Sequence, residues 1–151
     1  MIHLFICTPL FCKDALMSMT GAFEKQVQHA AGDWLEGRHA RALDGFLASR
    51  DIVRKHMPSL KEDFDWQTAS VLMSYSMLLA RLVEIDLHVS RGESHMTDAL
   101  TVQSREWAER LRAEAAAWTD ISVRSLDKME LRNRWLARIT RAIQNTKNVK
   151  G

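Results

Sequence analysis

The chain has 151 residues, of which 46% are hydrophobic and 26% are charged, and its formal net charge is +2. This is an ordinary balance for one globular domain, and with only six Gly and two Pro it excludes a long disordered or low-complexity chain. So small a net charge gives no reason to expect that the chain as a whole binds a polyanion.

The residue types favour helices throughout. Ala, Leu, Arg, Glu and Met are abundant, whereas runs of β-branched residues are scarce. These abundant side chains lose little rotamer freedom in a helix. We therefore predict an all-α protein.

Residues 1 to 19 are an apolar segment that lacks the basic start and the cleavage pattern of a signal peptide. We interpret it as a leader, with the functional chain beginning near Met17 or Met19. The alternative is an arm that packs loosely on the body or on a neighbouring subunit. Cys7 and Cys12 lack the further ligands that a metal site needs, and a disulfide across so short a gap would stabilise little.

A single helical domain is predicted from residue 20 to residue 145. Its first helix, residues 20 to 36, carries apolar residues at helical spacing after Thr20, which is expected to be the N-cap, and Gly37 ends it. The second helix, residues 39 to 56, ends at Met57 because the residue before a proline is disfavoured in the α conformation.

The third predicted helix, residues 65 to 90, is the longest and the least polar, so we expect it at the centre of the core. Its uncharged stretch before Arg81 is too short to cross a bilayer, and we expect no membrane span. Gly92 is predicted to cap its C-terminus.

Two more helices are predicted, at residues 95 to 118 and 124 to 145, followed by a frayed tail at 146 to 151. The helix at 124 to 145 is expected to cap the domain. Short connections require neighbouring helices to be antiparallel, so we predict about five antiparallel helices stacked as hairpins. Both an open layer and a closed bundle fit this pattern.

The stretch DWLEGRHARALDGFLASRDIV, residues 33 to 53, resembles a tetratricopeptide-type helical hairpin. The family places a small residue between its helices, then an alanine, an aromatic and another small residue, which here are Gly37, Ala42, Phe46 and Ser49. Small side chains at these positions allow close approach of helices. With a second unit that begins at Gly92, the likeness covers residues 20 to 118 and points to the irregular, long-helix type.

This resemblance implies a protein that holds a helix or an extended segment of another protein. Small bacterial secretion chaperones are one version that the resemblance permits. Because no catalytic motif accompanies it, we expect a cytoplasmic, non-enzymatic adaptor or chaperone with a protein partner. A homodimer is also compatible with the sequence.

The predicted contact surface is polar and follows the second and third helices. Along the third helix, Ser70 and Ser74 belong to the same narrow polar stripe as three ionisable residues further on. The predicted partner-binding residues are Arg50, Arg54, Arg81, Glu84 and His88.

The alternative function is a small nucleic-acid-binding regulator. From Arg124 onward the chain has eight basic and two acidic residues, a net charge of +6, whereas the preceding part carries about −4. Rows of cations on a helix can follow a phosphate backbone, although a solvated capping helix explains them as well. The residues of this alternative are Lys128, Arg132, Arg134, Arg138 and Arg141.

We expect no metal or cofactor. Glu36 and His39 have the E-x-x-H spacing of a diiron half-site, but they straddle Gly37 and no second such pair exists. Glu84 and His88, four residues apart, could belong to a polar pocket or a metal site. We interpret them instead as members of an ion pair and hydrogen bonds on one helix face.

Overall fold

The computed structural model describes residues 2–122 and residue 141. The fold is all-helical in this part of the chain, as predicted. It consists of α1 (Ile2–Leu35), α2 (His39–His56), a short 3₁₀ turn (Met57–Ser59), α3 (Asp63–Ser90) and α4 (Ser94–Ser122). Four α-helices are therefore present, and the fifth predicted helix, 124 to 145, lies outside the described residues except at helical Arg141.

The first helix begins at Ile2, so the prediction that it begins after Thr20 is wrong. The Thr20 hydroxyl donates a hydrogen bond to the carbonyl oxygen of Met17 at 3.1 Å, inside the helix, and does not cap it. The apolar stripe of α1 extends back from Phe23 through Met19 and Leu16, which are both buried. The division of the chain at residue 19 stays a prediction, but no break in the helix marks it.

The ends of α1 and α3 have the same geometry. Gly37 and Gly92 have φ values of +82° and +71°, in the left-handed region that favours glycine. At α3, the amide of Gly92 donates to Val89 O at 3.0 Å and that of Glu93 to His88 O at 2.9 Å. These two bonds form a Schellman motif. The amides of Gly37 and Arg38 form the equivalent pair of bonds at the end of α1. Both glycines thus end their helices, as predicted.

The helix α3 is the centre of the core, as its composition predicts. Sixteen of its 28 residues are buried. By length and composition alone α3 could cross a membrane, but 78% of its most apolar window is buried inside the fold, as it would be in any core helix.

Each helix packs mainly against the next one in the chain. The helices α1 and α4 have no extensive contact in the part of the chain that the structure describes, so α1 to α4 form an open layer rather than a closed bundle. Between α1 and α3 the contacts are few: the rings of Phe23 and Tyr75 lie 6.5 Å apart, and the Trp34 indole donates to Asp86 Oδ2 at 2.7 Å.

Close packing of α1 on α2 depends on residues along one face of α2. Ala42, Phe46 and Ser49 are all buried. The ring of Phe46 contacts Trp34 of α1, whereas the Ser49 hydroxyl lies 2.9 Å from that of Ser76 on α3. The two helices approach closely at Gly45, since a Cβ at that position would be 2.7 Å from the Cβ of Ala30. The Gly45 carbonyl accepts a hydrogen bond from the Gln26 side chain at 3.3 Å.

Candidate functional site

A groove of about 340 Å³ lies where α2, α3 and α4 meet. We call it the arginine groove, because three of its eight lining side chains are arginines. The lining residues are Arg50 and Arg54 from α2, Ser70, Met73, Ser74 and Met77 from α3, and Trp107 and Arg110 from α4.

The α2 wall of the groove consists of Arg50 and Arg54. They lie four residues apart, which places both on the same side of the helix. Both pair with one carboxylate, that of Asp51: Arg50 Nη2 lies 3.1 Å and Arg54 Nη1 lies 3.9 Å from its Oδ1. The guanidinium of Arg50 also reaches the sulfur of Met77, at 3.5 Å. Two cations therefore share a single, largely exposed anion.

The α4 wall holds Arg110 against the ring of Trp107. The guanidinium carbon lies 4.9 Å from the ring centroid, a cation–π geometry. Arg110 Nε donates to Glu114 Oε1 at 3.0 Å, and the other oxygen of Glu114 accepts a hydrogen bond from the Ser74 hydroxyl at 2.8 Å. This network connects α4 to α3 and fixes the guanidinium at the edge of the groove.

The floor of the groove is mainly apolar and deformable, with Ser70 and Ser74 beside its methionines. Met73 and Met77 come from α3, with Met77 buried and Met73 half-buried, and the half-buried ring of Trp107 continues the surface. Methionine side chains adapt to differently shaped partners because they are unbranched and polarizable. The groove can therefore accept an apolar side chain while its rim pairs with charged groups.

The ionisable side chains that line this groove are all cations. Among the residues that the structure describes, none of those lining it is acidic. Arg81 lies close enough to Arg50 to be affected by its charge: burial lowers the pKa of Arg81 from its ordinary value, and the like charge of Arg50 lowers it further. Cations crowded together in this way favour binding of an anion.

The predicted partner-binding residues do not all lie together. Arg50 and Arg54 line the arginine groove, whereas the predicted residues of α3 do not. Arg81 pairs with Glu84 on α3, and the buried Nε of Arg81 has no hydrogen-bond partner. His88 lies at the C-terminal end of α3, where its Nδ1 is 3.6 Å from Glu93 Oε2.

The remaining lining residues were missed by sequence reasoning about the site. Ser70 and Ser74 belong to the polar stripe of α3, so a signal was present for them. Trp107 and Arg110 lie three residues apart on α4, which places them on one face. The position of this face opposite α2 depends on how α2 and α4 both pack on α3.

A second depression of about 340 Å³ lies between α1 and α2. Its ionisable side chains include both cations and anions. The carboxylate of Asp33 already has a partner, because Arg38 Nε donates to its Oδ1 at 2.8 Å. The depression is lined by Gln26, His29, Asp33, Arg41, Asp44, Gly45 and Ala48. It lacks the single sign of charge that distinguishes the arginine groove.

In the described part of the chain, no group of three or more His, Cys, Asp and Glu side chains is placed to hold a metal ion. Glu36 pairs with the side chain of Arg38 in the turn between α1 and α2. Of the residues predicted for the nucleic-acid alternative, Arg141 is exposed. The others, Lys128, Arg132, Arg134 and Arg138, lie outside the described residues.

Comparisons of this chain with protein-family models, curated proteins and solved structures find no match.

Proposed function

We propose that the chain is a cytoplasmic, non-enzymatic protein-interaction module, an adaptor or chaperone that binds a helix or an extended segment of a partner protein in the arginine groove. The observation that carries this proposal is the groove itself. It combines an apolar floor with a rim of charged side chains at the meeting point of three helices. Arg, Trp and Met are enriched in protein interfaces, and all three types line it.

The open layer supports the same proposal. In a closed bundle the apolar side chains would face one another, whereas a layer of helices leaves a face for another chain. A tetratricopeptide-like layer, in the form used by small bacterial secretion chaperones, is the more specific version that we propose.

Site-specific photo-crosslinking in the native host tests this function. The photoreactive amino acid p-benzoylphenylalanine replaces Ser70 in the groove, or exposed Gln103 on α4 as the matched control. In samples treated with nuclease, we expect one protein to be crosslinked to position 70 and no protein to be crosslinked to position 103. If no protein is joined at position 70 and none copurifies in stoichiometric amount, the proposed function is wrong.

Parallel samples without nuclease treatment test the alternative function. A nucleic-acid-binding regulator acting through its basic C-terminal residues would be recovered with nuclease-sensitive material. The double variant Arg134→Glu with Arg138→Glu would abolish that recovery and its salt dependence.

A further inference from the structure

We infer that the arginine groove binds an acidic amphipathic segment of the partner, with carboxylates on Arg50, Arg54 and Arg110 and an apolar side chain on the methionine floor. This inference rests on the proposed function and specifies the chemistry of its partner.

The first support is the unequal number of cations and anions at the rim. Arg50 and Arg54 share the one carboxylate of Asp51, and Arg110 has Glu114. Neither carboxylate lines the groove, so three cations at its rim are balanced by two anions that lie outside it. A guanidinium can bind a carboxylate through two parallel hydrogen bonds, and this is the geometry that an acidic segment supplies.

The second support is the arrangement of apolar and charged groups. Met73 and Met77 belong to α3, which packs between α2 and α4, and the ring of Trp107 lies against Arg110 on the α4 wall. A ligand that reaches both walls must therefore cross an apolar floor. A helix or strand with acidic residues flanking an apolar one matches this order, whereas a small inorganic anion would satisfy one wall and leave the floor uncovered.

Charge also argues against two other occupants. The segment of this chain from Arg124 onward has a net charge of +6 and would be repelled by the groove. A nucleic acid is a long polyanion that would extend beyond the groove, where it would find no net positive charge, because residues 1 to 123 carry 13 basic and 17 acidic side chains. In addition, Arg110 covers one face of Trp107, which a base would need for stacking.

Three synthetic peptides that differ only in charge test the inference with the full chain. They share their leucine positions, and the remaining positions are Glu, Gln or Lys. Binding is measured by fluorescence anisotropy of a label on the peptide. We expect the Glu peptide to bind, the Gln peptide to bind about tenfold or more weakly and the Lys peptide not to bind, since charge-assisted hydrogen bonds are stronger than neutral ones.

Matched variants identify the arginines responsible. Arg110→Gln should weaken binding of the Glu peptide about tenfold, and Arg50→Gln with Arg54→Gln should weaken it further. The controls are Arg112→Gln, and Arg105→Gln with Arg112→Gln. Both control residues are exposed on α4 and neither lines the groove. The controls should bind as the unaltered chain does, and circular dichroism should confirm that all variants are folded.

Several results would overturn the inference. One is equal affinity for the Gln and Glu peptides, and another is unchanged affinity of the groove variants for the Glu peptide. A third is Arg50-dependent binding of a single-stranded oligonucleotide that is tighter than binding of the Glu peptide. Self-association that Arg50→Gln and Arg54→Gln abolish would show that a second copy occupies the groove. Crosslinking to a protein at position 70 without preference for the Glu peptide would overturn the inference while the proposed function remains. Failure of both experiments would reject both.

Discussion

The Cβ of Ala30 would lie 2.7 Å from a Cβ at position 45, so α1 and α2 approach as closely as they do only because residue 45 is glycine. We expect Gly45→Ala to destabilise the protein by about 1 to 3 kcal/mol, because the added methyl group forces the helices apart. Urea denaturation measures the free energy of unfolding.

Gly21 provides the matched control. It lies within α1, and apart from its own helical backbone and chain neighbours no atom lies within 4 Å of a Cβ placed there. Gly21→Ala should therefore stabilise the protein by about 1 kcal/mol through helix propensity alone. Ala30→Gly should restore part of the stability that Gly45→Ala removes. If Gly45→Ala were as stable as Gly21→Ala, the close approach of the two helices would be refuted.

The hydrogen bond from the Trp34 indole to Asp86 couples α1 to α3 across the layer. Trp34→Phe removes the donor and retains an aromatic ring to contact Phe46, whose ring centroid lies 5.9 Å from that of Trp34. A double-mutant cycle with Asp86→Ala should give a coupling free energy of about 1 kcal/mol. Additive effects of the two substitutions would contradict this contact.

Stability at acid pH should depend on Asp33. The hydrogen bond from the Arg38 side chain lowers the pKa of Asp33 below its ordinary value of 3.8. The pair therefore stabilises the fold above pH 3.8, and this contribution is lost as the pH falls through the folded-state pKa. The test compares the free energy of unfolding of the unaltered chain and of Asp33→Asn in a pH series.

We expect the difference between these two proteins to be constant near neutral pH and to shrink below pH 3.8. Arg38→Gln should likewise reduce the part of the free energy of unfolding that is lost at acid pH, because it removes the guanidinium that donates to Asp33. A difference that stays constant through the acid range would contradict the effect of Arg38 on Asp33.

If the arginine groove binds an acidic segment as we propose, Glu114 would compete with the carboxylate of that segment for Arg110. Its Oε1 accepts the hydrogen bond from Arg110 Nε at 3.0 Å. Glu114→Gln should therefore tighten binding of the Glu peptide about threefold, which is the scale of an exposed ion pair. Glu109→Gln is the control, since Glu109 pairs with Arg112 and does not line the groove. Weaker binding by Glu114→Gln would show that Glu114 instead orients Arg110 for the partner.

Much of the fold follows from local sequence signals. The limits of α2 were predicted because Gly37 and Pro58 mark both sides of a clear apolar period. The start of α1 was not, because the segment before Thr20 is apolar on so many sides that its period is hard to recognise. The contact of Gly45 with Ala30 depends on how two helices cross, which local spacing does not specify.

The candidate site divides in the same way. Arg50 and Arg54 could be predicted as a pair from their spacing on one helix. Their association with Trp107 and Arg110 requires α3 to bring α4 beside α2, and no local pattern encodes that arrangement. Arg81 and His88 belong to the same polar stripe of α3 as Ser74, yet they do not line the groove.

Nuclear magnetic resonance of the full chain during titration with the Glu peptide tests the arginine groove most directly. The indole N–H of Trp107 is assigned by Trp107→Phe, and that of Trp34 serves as the reference because it is bonded to Asp86. We expect the Trp107 signal to shift in proportion to bound peptide while the Trp34 signal stays in place. Binding that shifts other signals and leaves Trp107 unchanged would contradict the groove as the docking surface.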